Sequence, residues 1–348
     1  MTPPEAAAPP PPQGGAPSGP AKPVLRPPHG RQRQVRRAVH GVLLLDKPLG
    51  WTSNDALQKA KWLLRAEKAG HTGTLDPLAT GLLPLCFGAA TKFSQVSLDA
   101  DKAYRATLHL GQRTRTGDRE GEVIEERPVQ VDSAGIDAAV AGLTGLISQL
   151  PPMHSALKKD GRALYEYARA GIEVERQPRS VTIHQIDIID WQDAELVIDV
   201  RCSKGTYIRT LAEDIGQALG CGAHLSGLRR TGSGPLSLAG AVSLAELEAM
   251  GEAERLALLR PVDTLLADWP ALALDAAEAG RFLTGLRRRV NVADAPALRI
   301  YGPEPGAFLG SAHVCAGELI ADRLLSPAEV QSLLLNATPQ PQAWAAAA

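Results

Sequence analysis

Gly70-His71-Thr72-Gly73-Thr74-Leu75-Asp76-Pro77-Leu78-Ala79-Thr80-Gly81 is the stretch of this chain with the most pointed chemistry. Two glycines flank His71, and Asp76 stands directly before Pro77. The proline ring confines the residue before it to extended geometry, which fixes where the carboxylate points. An aspartate in such a place either closes a turn or caps a helix, or it is held as a reactive group. Leu75, Leu78, Leu82 and Leu83 surround it in sequence. A carboxylate desolvated among leucines and kept ionised by a cation is a strong nucleophile or base. A glycosidase would carry a second carboxylate close by. The nearest acids are Glu67 and Asp99, so a lone positioned aspartate suits covalent catalysis better than an acid–base pair. With four glycines and two prolines, Gly70 to Gly88 reads as an ordered loop.

The flanking sequence supplies the frame. Val42–Asp46 is an apolar run closed by Lys47-Pro48-Leu49-Gly50, which predicts a strand and a turn. Ser53 or Asn54 is placed to cap a helix running to about Leu64. Tyr104 to Leu110 alternates as a strand, and Val181–Ile189 and Glu195–Cys202 read as two strands around a Gln-Asp turn. Thr206 to Leu219 carries the stripe Leu211, Ile215, Leu219 of an amphipathic helix, and Ser243 caps another to about Leu259. From Pro261 the texture changes to short strands and turns: Arg289–Val292, Ala297–Tyr301, Phe308–Val314 and Glu318–Leu324. That predicts a small β domain.

Composition removes several function classes. The chain has 348 residues, 44% of them hydrophobic, which supports a real core. No apolar run reaches the roughly 18 residues of a membrane helix. Four scattered cysteines give neither a CxxC site nor a disulfide scaffold, and point to a reducing compartment, the cytoplasm. GxGxxG, GxxxxGK[ST] and HExxH are all absent, which removes dinucleotide, P-loop and zinc-protease readings. Eleven of the 27 prolines precede residue 29, so residues 1–38 are expected to be a disordered, basic tail. Without its first 40 residues the chain carries a net charge of −6. A polyanionic partner must therefore be met by local patches.

Such patches exist. Arg201-Cys202-Ser203-Lys204-Gly205-Thr206-Tyr207-Ile208-Arg209 lies at a strand-to-helix junction, where cations and free N–H groups suit a phosphate, Tyr207 offers a ring and Arg209 a guanidinium for a carboxylate. A solvated, charged helix start is the alternative. Lys158-Lys159 with Arg162, Arg229-Arg230, and Arg287-Arg288-Arg289, together with Tyr104, Tyr165 and Tyr167, give the basic-plus-aromatic mix expected for RNA.

These residues carry a resemblance. Gly70–Gly81 with its continuation to Gln95 is similar to the catalytic loop of the TruB-type tRNA pseudouridine synthases. Gly41–Pro48, Ser53–Lys59, Ser155–Lys158, Tyr165–Ala168, Cys202–Thr210 and Gly220–Arg230 resemble that family's blocks in its order. The resemblance covers residues 40–260 closely, and a looser one to an RNA-binding PUA domain covers 262–327.

The resemblance implies that Asp76 is the nucleophile in converting uridine 55 of the tRNA T-loop to pseudouridine, with no metal or cofactor. The uridine must leave its stack to be reached. It places His71 in the space vacated by the flipped base. Tyr104 stacks on the base and helps remove the C5 proton, and Arg209 pairs with Asp76 through a two-bond guanidinium grip. It puts Tyr207 and Leu228 in the substrate pocket, Lys47 beneath the first strand-turn, and Asp118 in a substrate-ordered loop. Arg115 and the His154 that follows Met153 depart from the family pattern in RNA-contacting regions. The expected fold is α+β: a catalytic domain with a mixed central sheet over 39–261, a PUA-like β barrel over 262–327 and a tail over 328–348. The expected partner is the tRNA T-arm and the expected state a monomer. A tRNA-folding chaperone, in which modification is secondary, is the rival reading.

Overall fold

The computed structural model describes residues 35–304 and 306–336; most of the proline-rich segment falls outside them. Its framework is a ten-stranded mixed sheet. The strands that matter for the site are β1 (Gly41–Lys47), β2 (Ala79–Phe87), β3 (Lys102–Leu110), β4 (Gly145–Gln149), β5 (Arg179–Gln192), β6 (Glu195–Cys202), β7 (Ala223–Ser233) and β8 (Val242–Ser243). They lie in the order β8-β1-β2-β7-β3-β6-β5-β4. Most neighbours are antiparallel, but β7 runs parallel to β2 over Leu228–Arg230, and β8 parallel to β1.

Ala79–Phe87 is thus a central strand, and the loop expected over 70–88 shrinks to the residues between Ala69–His71 and Ala79. The reason is two-sided burial. Leu83, Leu85 and Phe87 pack under helix α1 (Ser53–Leu63), while Leu82 and Cys86 pack on the opposite face. A strand covered on both faces reads as a continuous apolar run without alternation. Each such side chain contributes about 1.5–3 kcal/mol on leaving water. Gly81 is demanded by the β2–β7 contact: its φ is +96°, and a Cβ there would meet Arg230 O at 2.3 Å.

Other boundaries shift locally. Thr52, not Ser53 or Asn54, caps α1, its Oγ1 accepting from Asp55 N–H at 3.1 Å. The predicted helix from Thr206 is α2 (Ile208–Ala218). The helix capped by Ser243 breaks at Met250-Gly251 into Leu244–Ala249 and Glu252–Ala257, Glu254 capping the second through Gly251 N–H.

The C-terminal strands β9 (Ala271–Ala273), β10 (Arg288–Arg289), β11 (Ala295–Tyr301), β12 (Phe308–Cys315) and β13 (Glu318–Leu324) form a separate five-stranded sheet in the order β9-β11-β12-β13-β10. It does not hang free. Phe308 packs with Phe93 at a ring separation of 5.3 Å, and Val262, Leu265, Leu266 and Leu325 share a core with Val42, Leu44 and Leu82. The tail expected from residue 328 instead begins as helix α3 (Pro327–Asn336), whose Val330 and Leu333 reach the same core. Ser326 and Glu329 form a reciprocal cap at its start. No helix among the described residues is long and apolar enough to cross a membrane.

Candidate active site

The turn bearing Asp76 is tied down from three sides. Ser53 Oγ donates to Leu75 O at 3.0 Å and accepts from Leu75 N–H at 2.7 Å. Gly50 N–H donates to Pro77 O at 2.8 Å, and Ala79 N–H to Asp76 O at 3.0 Å. The Gly50 turn is held in its own right by Lys47, which is fully buried and donates from Nζ to Pro48 O (2.9 Å) and Trp51 O (2.6 Å). Burial pushes the Lys47 ammonium down to about 8, partly offset by the Asp76 carboxylate. The expected strand-turn role of Lys47 thus has a concrete form: an ammonium inside the first turn, facing the aspartate.

Leu75 and Leu78 point into the core, and the Asp76 side chain itself is 47% exposed. The expectation of a carboxylate enclosed by leucines is therefore corrected. In a turn, successive side chains diverge, so the leucines anchor the loop while the carboxylate opens towards solvent.

Arg209 comes from the first turn of α2 and is 8% exposed. Its Nη2 lies 3.0 Å from Asp76 Oδ2 and donates to His154 O at 2.7 Å. Nη1 donates to Thr116 O at 3.3 Å and lies 3.6 Å from Asp118 Oδ2. The two-bond grip on Asp76 is corrected as well: the guanidinium divides itself among two carboxylates and two carbonyls. Asp118 is 7% exposed and accepts from Thr116 Oγ1 (2.5 Å) and Glu120 N–H (3.1 Å), which closes its loop. Of the two departures, Arg115 points outward to Glu122, and His154 meets Arg209 through its backbone carbonyl.

The remaining expected residues converge on the same place. Tyr104 on β3 and Tyr207 before α2 are partly buried, and both phenols feel the Asp76 charge. Desolvation raises both. Gln149 fixes Tyr207 by accepting from its N–H at 3.0 Å and donating to its carbonyl at 3.3 Å. Leu228 on β7 sits between Ala79 and Ala106 in register, partly buried at the rim. His71 ends the short strand before the turn, and its buried Nδ1 has no partner. Burial and the Arg230 charge lower its pKa, so the ring is neutral near pH 7.

Sequence reasoning placed Arg230 only in a surface patch. It is 1% exposed and faces Tyr104 across the β3–β7 register. Gln149 and Lys102 were also missed, since neither stands in a suggestive motif. A bulge between Leu225 and Gly227 shifts the phase of β7, so alternation from Ala223 and Leu225 points to Arg229 and hides Arg230. No cluster of three His, Cys, Asp or Glu among the described residues is placed to hold a metal.

The arrangement offers one half-exposed carboxylate, a buried guanidinium against it, two phenols and a rim of apolar side chains. Such a set is chemically suited to covalent attack by a carboxylate on a flat polar ring. Residues 61–208 match the TruB family pseudouridylate synthase N-terminal domain, and residues 209–267 the tRNA pseudouridylate synthase B C-terminal domain. Asp76 therefore lies in one matched region and Arg209 at the first residue of the other. The tRNA pseudouridine synthase B of Verminephrobacter eiseniae is 58% identical over 91% of this chain and 97% of its own length. That of Cupriavidus pinatubonensis is 60% identical over 86% of this chain and 97% of its own. Among solved structures, a Cbf5-Nop10-Gar1 complex superposes with a TM-score of 0.64 at 25% identity, covering 83% of this chain and 86% of that one. With the family models spanning more than half the chain and the relatives nearly all of it, the chain belongs to the TruB family of pseudouridylate synthases.

Proposed function

We propose that this enzyme converts uridine 55 in the T-loop of tRNA to pseudouridine, with Asp76 as the nucleophile. The observation that carries this reading is the Asp76–Arg209 pair: a half-exposed carboxylate whose buried cationic partner lies 3.0 Å away. The pair fixes where the carboxylate points while one face remains open to a substrate. The names of the bacterial relatives support tRNA as the substrate. The reaction breaks the C1′–N1 bond, turns the uracil and rejoins it through C5, so no atoms are gained or lost.

In this reading His71, at the end of the short strand before the Asp76 turn, fills the gap left by the extruded base. Tyr104 stacks on the uracil and takes the C5 proton. Tyr207 and Leu228 close the pocket, Asp118 holds the neighbouring loop through Arg209, and Lys47 holds the strand-turn. The catalytic unit comprises residues 39–261, and the C-terminal sheet within 262–327 serves as an RNA platform. The enzyme acts as a monomer on the T-arm in the cytoplasm.

The test is to incubate a T-arm stem-loop with the purified protein and map pseudouridine. Conversion at the position equivalent to 55, lost in Asp76→Asn, is expected. Conversion elsewhere, or none, overturns the assignment. Restoration of misfolded tRNA by Asp76→Asn as well as by wild type would favour the chaperone reading.

A further inference from the structure

Arg230 is the bulkiest fully buried side chain among the described residues, and no carboxylate pairs with it. Its Nε donates to Leu82 O at 2.6 Å and its Nη2 to Gly73 O at 3.4 Å. A buried cation balanced only by carbonyls is costly, and the cost needs a reason. Arg230 lies directly opposite Tyr104 in the β7–β3 register, and its positive charge acts on the phenol. It also underlies the loop of the site. Gly73 has φ +104°, and a Cβ there would come within 3.4 Å of Arg230 Nη1.

We propose that Arg230 is a positioning residue for the isomerisation: it holds Tyr104 Oη in place and supplies the positive charge against which that phenol ionises to take the C5 proton. This rests on the role given to Tyr104 above. The protons balance as follows. Tyr104 Oη gives its own proton to water and becomes a phenolate beside the guanidinium. The C5–H bond then breaks, the proton joins Oη, and the electron pair enters the uracil ring. The freed N1 takes a proton from water.

Several charges meet at this phenol. Burial, Cys202 on β6 and Asp76 in the loop raise its pKa, and Arg230 opposes all three. Lys102 and Lys47 feel the same guanidinium, and burial holds both near 8. The phenol is held above its usual range by burial first, and Arg230 is the group among the described residues that opposes the rise.

The experiment is a double-mutant cycle on single-turnover rates, using T-arm RNA with uridine or 5-deuterouridine at the target. Arg230→Met should slow wild type about a hundredfold, the lower end of what positioned proton transfer contributes. In a Tyr104→Phe background the same change should cost less than about threefold, because coupled residues are not additive. The C5 isotope effect should rise in Arg230→Met and Arg230→Lys. Equal losses in both backgrounds, or an unchanged isotope effect, overturn the proposal. If Arg230→Met does not fold, Arg230→Lys, which keeps bulk and charge, completes the cycle under the same criterion. An ultraviolet difference titration of phenolate against Tyr104→Phe needs no turnover. The Tyr104 pKa should move up by about a unit or more in Arg230→Met, and no movement overturns the coupling. A wild type that makes no pseudouridine defeats the functional reading, while the titration still decides the Arg230–Tyr104 relation.

Discussion

Arg209 Nη2 meets Asp76 Oδ2 at 3.0 Å while the same nitrogen donates to His154 O at 2.7 Å. One guanidinium edge thus links the Asp76 carboxylate to a segment 78 positions further along the chain. The opposite nitrogen reaches Asp118 and Thr116. Arg209 is consequently both counter-ion and keystone, and its loss has two separable effects.

Replacing Asp76 with Asn should leave less than about a hundredth of the single-turnover rate, because the proposed covalent catalyst is removed. RNA affinity, measured by filter binding, should change little, since one half-exposed carboxylate supplies little of it.

Arg209→Lys keeps a charge near Asp76 but cannot reach four acceptors at once. A loss of about a hundredfold in kcat is expected, with a modest change in RNA affinity. Arg209→Met should fall further and should also loosen the loop around Asp118, read as faster amide exchange at Gly117 and Glu120. Equal loss of rate and RNA affinity in both variants would make Arg209 a phosphate contact instead.

Lys47 has a folded-state pKa near 8, against an ordinary value of 10.5. Below pH 8 both folded and unfolded chains hold the proton, and the buried charge is a full cost. Between pH 8 and 10.5 the unfolded chain binds more protons, so this contribution to stability rises with pH. Buried thiols and phenols act in the opposite sense, so the effect is isolated by difference. Wild type should gain stability relative to Lys47→Met from pH 8 to 10 in urea denaturation.

Phe308 joins the C-terminal sheet to the back of β1 and β2. Phe308→Ala should cost about 3–5 kcal/mol of stability, seen as a lower urea midpoint. A chain ended near Arg260 should expose Val42, Leu44 and Leu82 and aggregate. The C-terminal sheet is thus part of the enzyme's core.

Much of the site was legible from local chemistry. Pro77 fixes the residue before it, glycines mark the loop's bends, and alternation in Tyr104–Leu110 announces a strand. These rules act within a few residues. Where neighbours in space decided the outcome, the reading failed. Ala79–Phe87 has no alternation because both faces are covered. The helix capped by Ser326 and Glu329 lay in a stretch read as a tail, because nothing local showed what Val330 and Leu333 would pack against.

The sequence by itself determined that Asp76 is held in extended backbone before Pro77 and that α+β elements surround it, because backbone restriction and hydrophobic period are encoded residue by residue. Only the tertiary structure decided that Asp76 is half-open to solvent, that Arg209 shares itself among four acceptors, and that Arg230 is a buried charge beneath Tyr104. Those outcomes depend on which strands become neighbours. Placing β7 between β2 and β3 brings Arg230 to Gly81 on one side and Tyr104 on the other. The pairing of strands more than a hundred residues apart is a property of the whole core and of no segment in it.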